Sequence, residues 1–348
     1  MRILSSLVVA ALAIAAPAAL AQSNYPNKPI KFIVPFAAGS ATDTVARVVG
    51  DYVSKDLKQP VVVENAAGGN GVIAAQKVAQ AEPDGYTLLI STNTTHAANQ
   101  SMLKKLPYDA VKDFETVTLL GTIPMALVIN PSVPAQNVKE LIAYAKANPG
   151  KLSFGAGSSS SRIGVEMFKV MTGTDIVHVP YKSNPQAVTD LLGGQVQLMI
   201  ADVSTTLPQA AAGKVKALGV STKGPSPVAP GLPTIASQGV PDYEITAWFA
   251  AWLPAKTNAA IADTLQKSMA AAVADKEIVT KLMAAGIEPK SSSRKELADF
   301  VGSETEKWAK VDQRLAHHIK EVAAQGLAIK AETDIYDELA PQIGRAHV

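Results

Sequence analysis

Two short runs of the sequence bring hydroxyls and glycines together where a strand-like segment gives way to a helix-like one. The first is Pro35-Phe36-Ala37-Ala38-Gly39-Ser40-Ala41-Thr42-Asp43. The second is Gly155-Ala156-Gly157-Ser158-Ser159-Ser160-Ser161-Arg162. The opening amides of a helix have no acceptor inside it, and its dipole favours negative charge at that end. Glycine lets the backbone approach a ligand closely, and serine and threonine hydroxyls add donors. Both runs therefore suit an anion such as a carboxylate. In the second, Arg162 can grip a carboxylate through two parallel bonds. Each run also has a plainer reading. Ser40 and Asp43 make an S-x-x-D capping box, and the serine run can be a polar loop with Arg162 on a solvated face.

A third run, Ser91-Thr92-Asn93-Thr94-Thr95-His96, follows a strand and can line the same cleft through Thr92 and Asn93. No carboxylate stands at an informative spacing from His96, which reads as a structural hydrogen-bonder rather than a base.

Other chemistries fail on the residues. There is no G-x-S-x-G nucleophile elbow and no G-x-x-x-x-G-K-[ST] phosphate loop. There are no cysteines, so disulfides, thiolate metal sites and cysteine nucleophiles are excluded. His317 and His318 are adjacent and cannot share a helix face as metal ligands at i, i+4 do. Gly69-Asn70-Gly71-Val72-Ile73-Ala74 matches G-x-G-x-x-A, yet the next strand ends in Ser91-Thr92-Asn93, without the ribose-binding acid that a dinucleotide site needs. No catalytic residue, metal or cofactor is expected.

The elements that must position these runs alternate. Ile30 to Val34 reads as a strand, Thr42 to Leu57 as a helix, Val61 to Val63 as a strand, Gly71 to Ala81 as a helix and Tyr86 to Ser91 as a strand. A βαβαβ order argues for a parallel sheet covered by helices. The pattern resumes with a helix over Val138 to Ala147, strands at Leu152 to Phe154 and Ile176 to Val179, a helix over Gln186 to Leu192, and strands at Val196 to Ile200 and Val215 to Ser221. The last third is mostly helical, and Ser293 with Glu296 forms a capping box for a helix through Trp308.

With 348 residues, 47 % apolar and 18 % charged, the chain can bury the cores of two α/β domains. Its formal net charge of +2 gives no electrostatic case for nucleic acid or an anionic membrane surface. Arg2 followed by the apolar run Leu4 to Leu20, with small residues at Ala19 and Ala21, reads as a secretory signal cleaved before Gln22.

Taken in order, the motifs resemble the solute receptors of tripartite tricarboxylate transporters, the Bug receptors. The matching words are Tyr25-Pro26-Asn27-Lys28-Pro29-Ile30; Val34-Pro35-Phe36 with Gly39 and Ala41-Thr42-Asp43; Pro60-Val61-Val62-Val63-Glu64-Asn65; and Pro83-Asp84-Gly85-Tyr86-Thr87. Leu106-Pro107-Tyr108-Asp109, His178-Val179-Pro180-Tyr181-Lys182, Asp190 to Val196 and Lys307-Trp308-Ala309-Lys310 follow. The resemblance covers about Tyr25 to Val311. It implies a two-domain α/β fold of the periplasmic-binding-protein type, class II, with the ligand in a cleft between lobes. The implied division is a signal peptide over 1–21, domain I over 22–124 and 247–332, domain II over 125–246, and a tail, 333–348, without family counterpart. The crossings between lobes are expected near Thr122 to Val128 and Glu244 to Trp252.

The resemblance also implies a periplasmic, monomeric protein that captures a small organic carboxylate for two membrane subunits, with sensing for a signalling protein or an enzyme on the same fold as alternatives. By motif position the ligand would meet Phe36, Gly39, Ala41 and Asp43 on one side and Gly155 to Ser161 on the other, with Tyr181 and Asp202 beside them. Ser40, Ser158 and Arg162 stand where Gly, Gly and His are common in the family. Arg162 is accordingly expected to favour a dicarboxylate over a monocarboxylate.

Overall fold

The computed structural model describes residues 25–324, with the side chains of the last helix described to Val311. The signal segment 1–21 and the tail 333–348 lie outside the described residues.

The first unit is β1 (Ile30–Val34), α1 (Ala41–Asp56), β2 (Val61–Asn65), α2 (Val72–Ala79) and β3 (Thr87–Thr92). β1 pairs in parallel with β2 on one side and β3 on the other. Both faces of β1 are covered, which is why four of its five residues are buried and apolar rather than alternating. α1 turns Val45, Val49 and Val53 inward, spaced by four so that they share one helix face.

β3 outruns the strand read over Tyr86 to Ser91 by one residue. It continues to Thr92, and a single π-helical turn over Thr94–Ala98 leads into the short helix α3 (Asn99–Met102). His96 sits in that turn, fully buried and stacked on Trp252 with ring centroids 3.8 Å apart. Its Nδ1 meets the Thr95 hydroxyl at 2.8 Å. Burial pushes its pKa down to about 3, so the ring stays neutral and has a packing role.

β4 (Phe114–Ile129) runs for 16 residues and belongs to both halves of the molecule. From Phe114 to Pro124 it is antiparallel to β9 (Thr246–Pro254), and from Met125 to Ile129 it is antiparallel to β7 (Leu198–Asp202). The hand-over falls between Pro124 and Met125. β9 in turn pairs with β3 and so returns the chain to the first unit. Ser221, fully buried, ties the two crossing segments together. Its hydroxyl donates to the Ile245 carbonyl at 2.6 Å and accepts the Met125 amide at 2.8 Å.

Between the crossings stand α4 (Val138–Ala147), β5 (Leu152–Ala156), α5 (Ser159–Thr172), β6 (Ile176–Pro180), α6 (Asn184–Leu192), β7, α7 (Val203–Ala211) and β8 (Lys216–Val220). β5 runs parallel to both β6 and β7, and β8 pairs with β4. Helices α8 (Ala259–Ala274) and α9 (Lys276–Ala284), the two-residue strand β10 (Glu288–Pro289) and helix α10 (Arg294–Ala324) pack back onto the first half. The Ser293 and Glu296 box closes reciprocally, at 2.8 and 3.2 Å, and α10 extends well past Trp308.

The strands follow one curled path, β2-β1-β3-β9-β4-β7-β5-β6, with β10 and β8 attached to β4. Two apolar clusters cover its two faces. Alternate residues of β4 feed them, Leu127 and Ile129 on one side and Ala126 and Val128 on the other. Residues before Met125 and from Thr246 onward are called lobe I below, and those between are called lobe II.

Candidate ligand-binding site

In lobe I the chain leaves β1, passes Phe36, turns at Gly39 with φ +80° and enters α1. Ser40 is the N-cap, and its hydroxyl accepts the Asp43 amide at 3.3 Å. The amides of Ala41 and Thr42 remain as first-turn donors without a helical acceptor. Asp43 does not return the bond to Ser40 as a simple capping box would. Its carboxylate accepts the Gly39 amide and Arg47 Nε, each at 3.0 Å, and Asn65 Nδ2 at 2.9 Å. Asn65 donates also to the Phe36 carbonyl at 2.9 Å, which closes the loop on itself. Burial works against the charge on Asp43, but the bonds from Arg47, Gly39 and Asn65 outweigh it and leave its pKa lowered.

Lobe II presents three helix starts. Ser158 caps α5 and accepts the Ser161 amide at 3.2 Å. Asn184 opens α6, and its Oδ1 accepts the Gly157 amide at 2.9 Å. The two loops touch so closely that a Cβ on Gly157 would lie 2.1 Å from the Ser183 carbonyl carbon. Asp202 is the N-cap residue of α7, yet its side chain makes no cap bond. Burial raises its pKa to about 6, opposed only by a hydrogen bond from Asn184.

These parts enclose one pocket of ≈ 300 Å³, counted with the space at its mouth. Lobe I contributes Phe36, Ser40, Thr42 and Thr92. Lobe II contributes Gly157, Ser158, Ser160, Ser183, Asn184 and Asp202, and Ala247 and Phe249 of β9 form the apolar back. The lobes also bond directly around the rim. The Ala37 amide donates to Ser183 Oγ at 3.2 Å, Asn93 Nδ2 donates to Ser160 Oγ at 2.9 Å, and Asn70 Nδ2 donates to Ser159 Oγ. The pocket thus gathers hydroxyls and helix-start amides from two lobes that are joined by two crossing strands. Among the described residues no group of His, Asp and Glu is placed to hold a metal ion.

A family model described as "Tripartite tricarboxylate transporter family receptor" matches residues 45–316. The chain belongs to this family. The receptor is 34 % identical over 315 residues to protein BugT of Bordetella pertussis, covering 90 % of this chain and 96 % of that one. It is similar in structure to R. palustris Rpa4515 with adipate, with TM-score 0.82 and 34 % identity over 84 % of this chain and 98 % of that chain. MatC from Rhodopseudomonas palustris with bound malate gives TM-score 0.79 and 30 % identity over 83 % of this chain and 100 % of that chain. These likenesses establish the receptor as a solute-binding protein of the two-domain periplasmic-binding-protein type. No helix among its described residues is long and apolar enough to cross a membrane.

Several residues singled out from the sequence lie just outside the lining. Gly39 and Ala41 shape the turn, and Asp43 faces Arg47 and Asn65 instead of the pocket. Asn93 and Ser159 form the rim bonds between lobes, and Ser161 donates to the Ile200 carbonyl at 2.6 Å beneath the loop. Gly155 and Ala156 end β5, where Gly155 lies against Ala187, Tyr181 and Val196. Tyr181 donates to Asp190 at 2.6 Å and serves the packing under α6.

Arg162 stands apart from the pocket. It is absent from the lining, and its charge acts instead on His178, with its Nε buried and without a hydrogen-bond partner among the described residues. Successive helix residues rotate by about 100°, so a position two beyond Ser160 faces nearly the opposite way. Conversely, Ser183, Asn184, Ala247 and Phe249 line the receptor's pocket without having been chosen. Ser183-Asn184-Pro185 carries a legible signal, a serine at the N-cap position two residues before a proline at a helix start after a strand, although its hydroxyl makes no cap bond. Ala247 and Phe249 alternate along an apolar strand, and nothing in that pattern separates a pocket back from ordinary core.

Proposed function

We propose that this receptor is exported, captures a small organic carboxylate between its lobes, and delivers it to the membrane subunits of a tripartite transporter without catalysing a reaction. The observation that carries this reading is the convergence of helix starts from opposite lobes on one pocket. α1 points its first turn in from lobe I, and α5 and α6 point theirs in from lobe II. Free first-turn amides, six hydroxyls of the lining and the helix dipoles together favour a negative group. Adipate and malate in the similar structures support the same ligand class. The leader read over residues 1–21, with cleavage before Gln22, supports a periplasmic place of work.

A ligand that touches both lobes binds the closed form better and shifts the population toward it. The rim bonds from Ala37, Asn93 and Asn70 accompany that closure. A thermal-shift screen of the purified receptor against carboxylates and their neutral amides tests the proposal. A ligand at one hundred times its Kd stabilises the native state by about 2.7 kcal/mol. Selected carboxylates should raise Tm and their amides should not. Stabilisation by amides and acids alike would count against a site built for negative charge.

A further inference from the structure

Asp is among the best N-cap residues because its carboxylate accepts first-turn amides. The receptor uses that bond elsewhere: Asp275 accepts the Glu277 and Ile278 amides at 2.9 and 3.1 Å. Asp202 holds the same position on α7 and bonds none of its amides, while its backbone carbonyl alone receives the Thr205 and Thr206 hydroxyls, both at 3.0 Å. The carboxyl borders the pocket beside Asn184. Among the described residues that line the pocket, it is the one ionisable side chain.

That placement sets a problem for a plain carboxylate. Helix starts attract an anion, yet a second carboxylate in the same small cavity repels it. A ligand that carries a donor beside its carboxylate turns the repulsion into a bond. We infer that the ligand is a carboxylate bearing a hydroxyl or an ammonium group, and that Asp202 selects for this donor. The inference rests on the carboxylate reading above and narrows it. The raised pKa of Asp202, brought about by burial, is consistent with an acceptor held short of partners until ligand arrives.

Calorimetry on the mature receptor with matched sets tests this: succinate, malate and aspartate; propionate, lactate and alanine; adipate and 2-aminoadipate. In at least one set the donor-bearing member should bind about tenfold or more tightly than its plain partner at neutral pH, the worth of one charge-assisted hydrogen bond. Asp202→Asn should collapse that ratio to within about threefold, through weaker donor binding and stronger plain binding. A larger loss for the amino acid marks the donor as ammonium, and a larger loss for the hydroxy acid marks it as hydroxyl. Should the variant fail to fold, the wild type supplies the second reading. Its preference should shrink between about pH 8 and about pH 5.5, as Asp202 protonates and ceases to repel. Plain acids that bind as well as their donor-bearing partners overturn the inference while leaving the carboxylate reading intact. So does a ratio untouched by both Asp202→Asn and pH. Failure of every acid to bind overturns the carboxylate reading, and this inference with it.

Discussion

Both lobes offer the pocket a helix start, but they hold it in place by different means. In lobe I the loop from Phe36 to Asp43 is fixed by polar bonds: Asp43 gathers Gly39, Arg47 and Asn65, and Asn65 reaches back to Phe36. In lobe II the loops at Gly157 and Ser183 are fixed chiefly by contact, backbone against backbone, with Asn184 accepting from the Gly157 amide at 2.9 Å and donating to Ser158 Oγ at 3.4 Å. A polar clamp can lose a member and relax around the loss. A close fit leaves no room for one more carbon atom. The two loops should therefore fail differently, although they serve the same pocket.

The sharpest break is Gly157→Ala. Its Cβ would stand 2.1 Å from Ser183 C and 2.4 Å from Asn184 N, both backbone atoms that cannot swing aside. The starts of α5 and α6 must then part, and both border the pocket. We expect affinity to fall by about 100-fold, with about 1–3 kcal/mol lost from stability through overpacking. Gly39→Ala is the control on the other side. Nothing lies within 4 Å of its added carbon, so only the φ of +80° resists it. A cost of about 1 kcal/mol and a much smaller loss of affinity follow. Calorimetry and urea unfolding read both, and equal effects of the two alanines would dissolve the contrast.

Asp43→Asn tests the polar clamp with a smaller effect. Arg47 is 53 % exposed, so its orphaned charge stays in water and the pair is worth little more than a surface bridge. The expected cost is about 1 kcal/mol in stability and a few-fold in affinity. The clamp also sets a pH signature. The pKa of Asp43 is lowered in the folded state, so its contribution is complete above the unfolded value of about 3.9 and disappears as pH falls through the folded value. Wild type and variant should differ by a constant amount above about pH 5 and converge in stronger acid. A gap that persists into acid would mean the clamp works by shape alone.

Much of this architecture was legible from residues. Hydrophobic runs bounded by Gly and Pro gave β1 and α4 to the residue, because those ends carry breakers or caps. Hydroxyls at strand–helix junctions pointed to Ser40, Thr42, Ser158 and Ser160, which do border the pocket. Direction within a loop was not legible. Ser159, Ser160 and Ser161 are chemically equal in the sequence, yet Ser159 and Ser160 both accept bonds across the rim, Ser160 alone of the three borders the pocket, and Ser161 donates to a core carbonyl. Helix phase decides among them, and phase depends on where the cap falls. Asp43 shows the same limit. Its type and spacing predict a capping box, but the bond closes on Gly39 instead of Ser40 because Arg47 and Asn65 draw the carboxylate away from the helix axis.

Arg162 carries that limit to its smallest measurable consequence. As a cation at the end of a serine run it promised direct pairing with a second carboxylate. Its place on α5 instead turns it toward His178, whose pKa is driven down to about 2, first by burial and then by the charges of Arg162 and Lys169. The His178 ring tilts against Phe154 at 4.9 Å, on the side of β5 that α5 covers. Arg162→Ala should therefore leave affinities for mono- and dicarboxylates unchanged within about twofold, the smallest effect of any substitution near the pocket. A selective loss of the dicarboxylate would place the guanidinium back at the ligand. It would also mean that lobe II, and not lobe I, is the side whose grip depends on charge.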